Sequence, residues 1–255
     1  MIISHKYKYV FIGLPLAAST AISKELCEQY HGKPMLAKHS IYQDFLKVAT
    51  EEEKKYKVIA CARNPLDISV SYYTKMICNS SGNFSNEKLL RKNGGHLKMR
   101  DYKLSKYFRE NNSSYEDFLS RYYRFPFDNW LSITAPYCTF IIRFENLQED
   151  FESALKHCDI SPKRKLPVIN KTKKKVTFES FYNEKNSELS FSIFGPYMLK
   201  HGMIFPEIWK DKRVSSYSIF LFKLFGFIRR IYWTKKSYRD TNAQKVYKYL
   251  IEKHQ

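Results

Sequence analysis

The chain has 255 residues, with 44 Lys and Arg against 25 Asp and Glu for a formal charge of +19. That length suits a single α/β domain with a sizeable core, and that charge suits partners carrying phosphate, sulfate or anionic headgroups. Five cysteines, Cys27, Cys61, Cys78, Cys138 and Cys158, form no CxxC pair, which argues against a zinc cluster and against a full disulfide framework.

The seven histidines form no HExxH or HxH spacing, so no metal is expected. The thiols fit a reducing, cytoplasmic compartment. The 19 Phe and 20 Tyr beside so many cations would suit a nucleic-acid binder, but no RRM, KH, helix-turn-helix or zinc-finger pattern accompanies them, and no nucleic acid is expected.

In chain order, Lys8 to Gly13 reads as a first strand, because its β-branched and aromatic residues stop at Gly13 and Pro15. A basic and apolar signal peptide is the weaker reading of the same residues. A loop from Leu14 to Ala18 leads into a helix from Ser19 to Tyr30, with Ile22, Leu26, Cys27 and Tyr30 on one face. A second strand, Tyr56 to Ala62, precedes Asn64-Pro65-Leu66-Asp67, a helix-start signal with cap, proline and carboxylate in order; that helix should reach about Cys78.

Residues 79–114 read as a polar, basic excursion with short helices. Further on, Tyr115 to Arg124 reads as helix, Thr139 to Phe144 as strand, and Gln148 to Cys158 as amphipathic helix. A basic loop, Asn170 to Lys175, precedes helical segments at Glu179 to Glu188 and Ser190 to His201. The alternation predicts a single α/β domain with a central parallel sheet flanked by helices, and a ligand crevice beyond the carboxyl ends of the strands. The domain is expected over 1–213, with a basic, aromatic helical extension over 214–255. Tyr217 to Trp233 is apolar but broken by Lys223, Arg229 and Arg230, too short and too charged for a membrane span of ~20 apolar residues. It reads either as a helix lying on an anionic membrane, with the basic residues to 239, or as a helix docked on its own core.

Two features carry chemistry. Pro15 to Thr20 is a strand-to-helix junction, where backbone N–H groups and the positive helix end attract anions, and Ser19 and Thr20 add hydroxyls. An ordinary capped helix start would look similar, and no GxxxxGK[ST] loop is present. The second feature is Arg63 at a strand end with Ser71 eight residues on. A guanidinium and a hydroxyl would then face one crevice, and the planar fork of arginine suits a phosphate dianion. Taken alone, Arg63 is equally suited to a structural ion pair.

Cys61-Ala62-Arg63-Asn64-Pro65-Leu66-Asp67-Ile68-Ser69-Val70-Ser71-Tyr72-Tyr73 resembles the second nucleotide signature of the sulfotransferases that use 3′-phosphoadenosine 5′-phosphosulfate (PAPS). Pro15 to Thr20 falls on that family's first signature, and the fold expected is its P-loop-like architecture. Trp130-Leu131, Arg143 to Leu147 with Asp150-Phe151, Asn170 to Lys173 and Phe194 to Tyr197 follow in the family's order. The resemblance implies in-line transfer of a sulfuryl group from PAPS to a hydroxyl or amine, with adenosine 3′,5′-bisphosphate (PAP) leaving. It implies that Ala17, Ala18, Ser19 and Thr20 hold the 5′-phosphate and that Arg63 and Ser71 hold the 3′-phosphate. Lys171 and Lys173 join the nucleotide-binding set. Lys38-His39 falls where many relatives carry a Lys-x-His stretch, which makes His39 the candidate general base and Lys38 the candidate partner of the oxygen bridging sulfur and phosphate.

Two residues depart from the family pattern. Leu16 stands where many relatives have lysine, and Ala18 where they have glycine. Lys38 is a candidate to replace the missing charge. The departures also admit a second reading, a weak or inactive PAP- or PAPS-binding protein working at a membrane surface or as a scaffold. The basic surface suits an anionic glycan or glycolipid as acceptor.

Overall fold

The computed structural model describes residues 1–168 and 177–235. In chain order its strands and α-helices are β1 (Ile2–Ser4), β2 (Tyr9–Ile12), α1 (Ser19–Gln29), β3 (Lys33–Pro34), α2 (Tyr42–Leu46), β4 (Lys57–Ala62), α3 (Pro65–Cys78), α4 (Met99–Glu110), α5 (Tyr115–Tyr122), α6 (Leu131–Thr134), β5 (Phe140–Arg143), α7 (Leu147–His157), α8 (Glu184–Lys200) and α9 (Ser216–Lys235). The described residues fall into two compact bodies. One comprises those within 1–63, 129–173 and 228–255, the other those within 64–128 and 174–227.

The first body holds a five-stranded sheet in the order β3-β1-β2-β4-β5. β2, β4 and β5 run parallel, as the alternation predicts. β1 is antiparallel to both β2 and β3, so the sheet is mixed. The antiparallel edge escaped the sequence because Ile2–Ser4 and Lys33–Pro34 are too short to show a two-residue period. All four residues of β2 and five of the six in β4 are buried, the unbroken apolar run of strands covered on both faces. α1 buries Ile22 and Leu26 and ends on buried Tyr30; α7 buries Phe151, Ala154 and Leu155. Tyr30 meets Phe151 edge to face, with centroids 6.2 Å apart, and its carbonyl accepts from the Tyr9 hydroxyl at 3.0 Å. Each large apolar side chain so covered contributes about 1.5–3 kcal/mol.

The second body has no strand among its described residues, and its core is aromatic. Tyr115 lies edge to face with Tyr182, and Phe191 with Trp209. The phenols are satisfied internally: Tyr115 Oη lies 2.8 Å from Ser69 Oγ, whose hydroxyl can donate to it, Tyr115 donates to Tyr182 Oη at 2.5 Å, and Tyr182 donates to the Leu66 carbonyl at 3.0 Å. This thread lets hydroxyls sit in an apolar core without loss, and it ties α3 to its neighbours. Residues 79–114 hold three 3-10 turns and then α4. The two helical segments expected over 179–201 are instead a 3-10 turn, Phe178–Phe181, and the single helix α8. Asn183 starts α8 by accepting from the backbone N–H groups of Lys185 and Asn186, and Pro196 lies inside it. The N-terminal part of α9, through Phe227, belongs to this body; Phe222 is buried and Phe225 packs against Phe125.

Candidate active site

Because β2, β4 and β5 are parallel, their carboxyl ends share one edge of the sheet, where open α/β sheets bind ligands. Gly13, Arg63 and Phe144 follow the last residues of the three strands. Ala62 pairs with Arg143 across the ladder, so Arg63 and Phe144 leave the sheet side by side. The Arg63 guanidinium lies 4.3 Å from the centroid of the Phe144 ring, a cation–π arrangement. Its Nη1 donates to the Leu16 carbonyl at 2.9 Å, which fastens the β2–α1 loop to the end of β4.

That loop is bent sharply. Leu16 and Ala18 sit in the left-handed region at φ of 64° and 48°, a conformation costing a residue with a Cβ about 1–2 kcal/mol. Such strain persists where surrounding contacts impose it, and the Arg63 hydrogen bond to Leu16 is one. Gly13 is required by close approach, since a Cβ there would lie 2.9 Å from the Lys38 carbonyl and 3.2 Å from Ser19 Cβ. α1 then starts without the usual closure: its N-cap, Ala18, makes no side-chain hydrogen bond, and its first turn carries no acidic residue. The first-turn N–H groups have no acceptor within the helix, and they coincide with the positive dipole end, so the start of α1 is suited to an anion. Ala17 and Ser19 are buried, and Ala18 and Thr20 half-buried.

Lys38 and His39 enter from the turn after β3. Ser40 Oγ accepts from the Ala37 N–H at 3.1 Å, and Leu36 is left-handed at φ 58°. From this turn the Lys38 ammonium reaches the start of α1 and donates to Thr20 Oγ1 at 2.6 Å. The next side chain reaches the end of β2, placing His39 Nδ1 2.6 Å from the Gly13 carbonyl. A carbonyl only accepts, so Nδ1 carries the proton and the neutral ring keeps its lone pair on Nε2. Burial is the main influence on this imidazole, with the Lys38 charge adding to it and the Gly13 hydrogen bond opposing; its pKa is lowered to about 4. His39 is therefore neutral at physiological pH, in the form that can take a proton.

Among the sequence-derived residues, Ala17, Ala18, Ser19, Thr20, Lys38, His39 and Arg63 lie in the first body. Ser71 is half-buried on α3 in the second body, and Lys171 and Lys173 lie outside the described residues. Sequence reasoning missed the Leu16 carbonyl as the acceptor for Arg63, the Phe144 ring beside it, and the steric need for Gly13. Only the Phe144 contact left a trace in the sequence, through the register of two strands. Arg143, one residue earlier, is committed elsewhere: Nε and Nη2 form a two-point pair with Asp150 at 2.7 and 2.8 Å, which holds the Asp150 carboxyl below its ordinary pKa.

Neither the curated proteins nor the solved structures give a significant match to this chain. The family model described as the sulfotransferase domain matches residues 8–191.

Proposed function

The chain belongs to the sulfotransferase domain family, whose shared chemistry is sulfuryl transfer, and we propose that its donor is PAPS and its acceptor a hydroxyl or amine on an anionic glycan or glycolipid. The observation that carries this reading is the Lys38 ammonium 2.6 Å from Thr20 Oγ1 at the uncapped start of α1. The residues suit a doubly phosphorylated nucleotide: a helix start without a carboxylate, a lysine beside it and an arginine at the adjoining strand end.

The acceptor oxygen or nitrogen attacks sulfur, its bond to sulfur forms as the bond from sulfur to the bridging phosphate oxygen breaks, and PAP departs with that electron pair. His39 Nε2 takes the acceptor's proton, and Lys38 stabilises the charge growing on the bridging oxygen. The backbone N–H groups from Ala17 to Thr20 hold the 5′-phosphate. Arg63 and Ser71 serve the 3′-phosphate, with Lys171 and Lys173 as further cations. The formal charge of +19 supports an acidic acceptor. Because the His39 pKa lies near 4, the acidic limb of kcat/KM should appear only as pH approaches that value.

Leu16 and Ala18, both left-handed where relatives carry lysine and glycine, favour a second reading in which the nucleotide binds but turnover is slow. One measurement tests the site that both readings share, and a second separates them. A thermal shift with PAP larger than that with 5′-AMP supports the bisphosphate site, and equal shifts would sink it. Transfer of labelled sulfuryl from PAPS should fall about 10²–10⁴-fold in His39→Ala; donor binding without any transfer by the unmodified chain would select the second reading.

A further inference from the structure

We propose that α9 is a membrane-surface helix, seated by one side on the protein and laying its opposite side on an anionic lipid bilayer. The seated side is defined by Phe222, the one buried residue of the helix, by Phe225 packed against Phe125 with centroids 4.3 Å apart and rings tilted by 40°, and by the Lys200 ammonium 5.6 Å from the Phe222 ring centroid. Gly226 belongs to the same side, where a Cβ would lie 3.5 Å from Asp128 Oδ2.

The opposite side should be polar if it faced only water. Instead, Tyr217, Phe220, Leu224, Phe227, Ile228 and Ile231 recur at helical spacing and are exposed, Tyr217 by 70%, Phe220 by 59% and Phe227 by 56%. A continuous apolar stripe of this kind marks a surface that something covers. Among the described residues no helix is long and apolar enough to cross a membrane, so the helix can lie on a bilayer rather than span it.

Charge chooses among occupants. From Ser216 to Lys235 the helix contains no Asp or Glu, while Lys223, Arg230 and Lys235 are exposed cations. Pairing with a second copy would bring like charges together with no Asp or Glu on either helix to offset them. Anionic headgroups complement the same cations while acyl chains cover the stripe.

The test uses the full chain with vesicles of phosphatidylcholine alone and vesicles that also contain phosphatidylserine. Co-sedimentation should show roughly 10- to 100-fold stronger binding to the anionic vesicles. The double variant Phe220→Glu, Phe227→Glu, whose sites face outward, should lose about tenfold or more of it at an unchanged melting temperature. Should that variant melt early, Leu224→Gln with Ile228→Gln replaces it. Binding retained in the folded variant would overturn the proposal, leaving the general basic surface as the cause. No binding to either vesicle would also overturn it, as would a concentration-dependent dimer abolished by the same variant.

Discussion

Two of the helices that follow parallel strands of this protein, α1 and α3, begin in opposite ways. α3 closes its own start: Asn64 Oδ1 accepts from the Leu66 N–H at 2.9 Å, Pro65 has no N–H to satisfy, and Asp67 supplies a carboxylate in the first turn. α1 has alanine at the cap and no carboxylate in the first turn, and the nearby charge is the Lys38 ammonium on Thr20. Both occupy the strand-to-helix turn that an α/β fold offers to ligands. A few side chains decide whether the turn is consumed by structure or kept for an anion. Arg63 shows the division, since it directly precedes the closed start in sequence yet its guanidinium braces the open one through the Leu16 carbonyl.

The largest expected effect comes from closing the open start. Ala18→Asp places a carboxylate at the α1 cap, and aspartate tolerates left-handed backbone better than most residues. The affinity for PAP, measured by calorimetry, should fall about 30- to 100-fold, while the melting temperature stays about level because the new carboxylate sits at the positive end of the helix. Undiminished affinity would mean that the start of α1 does not receive the phosphate. Opening the closed start is expected to do less and to do it to stability. Asn64→Ala should cost about 1 kcal/mol, a drop of ~2–4 °C in melting temperature, with PAP affinity nearly unchanged. A large loss of affinity would make the α3 start a direct participant.

The contrast also explains what the sequence disclosed. The α3 start was legible because its closure is built from residues that each have a strong local preference, Asn at the cap, Pro at the first position and Asp in the first turn. β2 and β4 were legible because burial on both faces demands continuous apolar runs. The antiparallel edge was not, because pairing of very short strands is decided by tertiary contact. At the site, the residue types at Lys38, His39 and Arg63 were visible, but their partners were not. Two of the hydrogen-bond partners named above are backbone carbonyls, Gly13 and Leu16, and a carbonyl has no signature in sequence. The split of α8 into two segments was a local misreading, since a polar stretch within a buried helix imitates a break.

The smallest predicted effect concerns strain rather than charge. Ala18 is held at φ 48°, where its Cβ costs about 1–2 kcal/mol. Glycine removes that cost and gives back about 0.5–1 kcal/mol through the greater freedom of the unfolded chain. Ala18→Gly should therefore stabilise the protein by roughly 0.5–1 kcal/mol, a rise of ~1–3 °C in melting temperature. Chemical denaturation of the two proteins in parallel gives the free-energy difference directly. Because the variant adds neither cap nor carboxylate, PAP affinity should hold while stability rises, the opposite pattern to Ala18→Asp. A loss of stability would mean that contacts made by the Ala18 methyl outweigh the strain. The left-handed alanine would then be a packed element of the loop, and the open start of α1 would be held by its side chain as well as by Arg63.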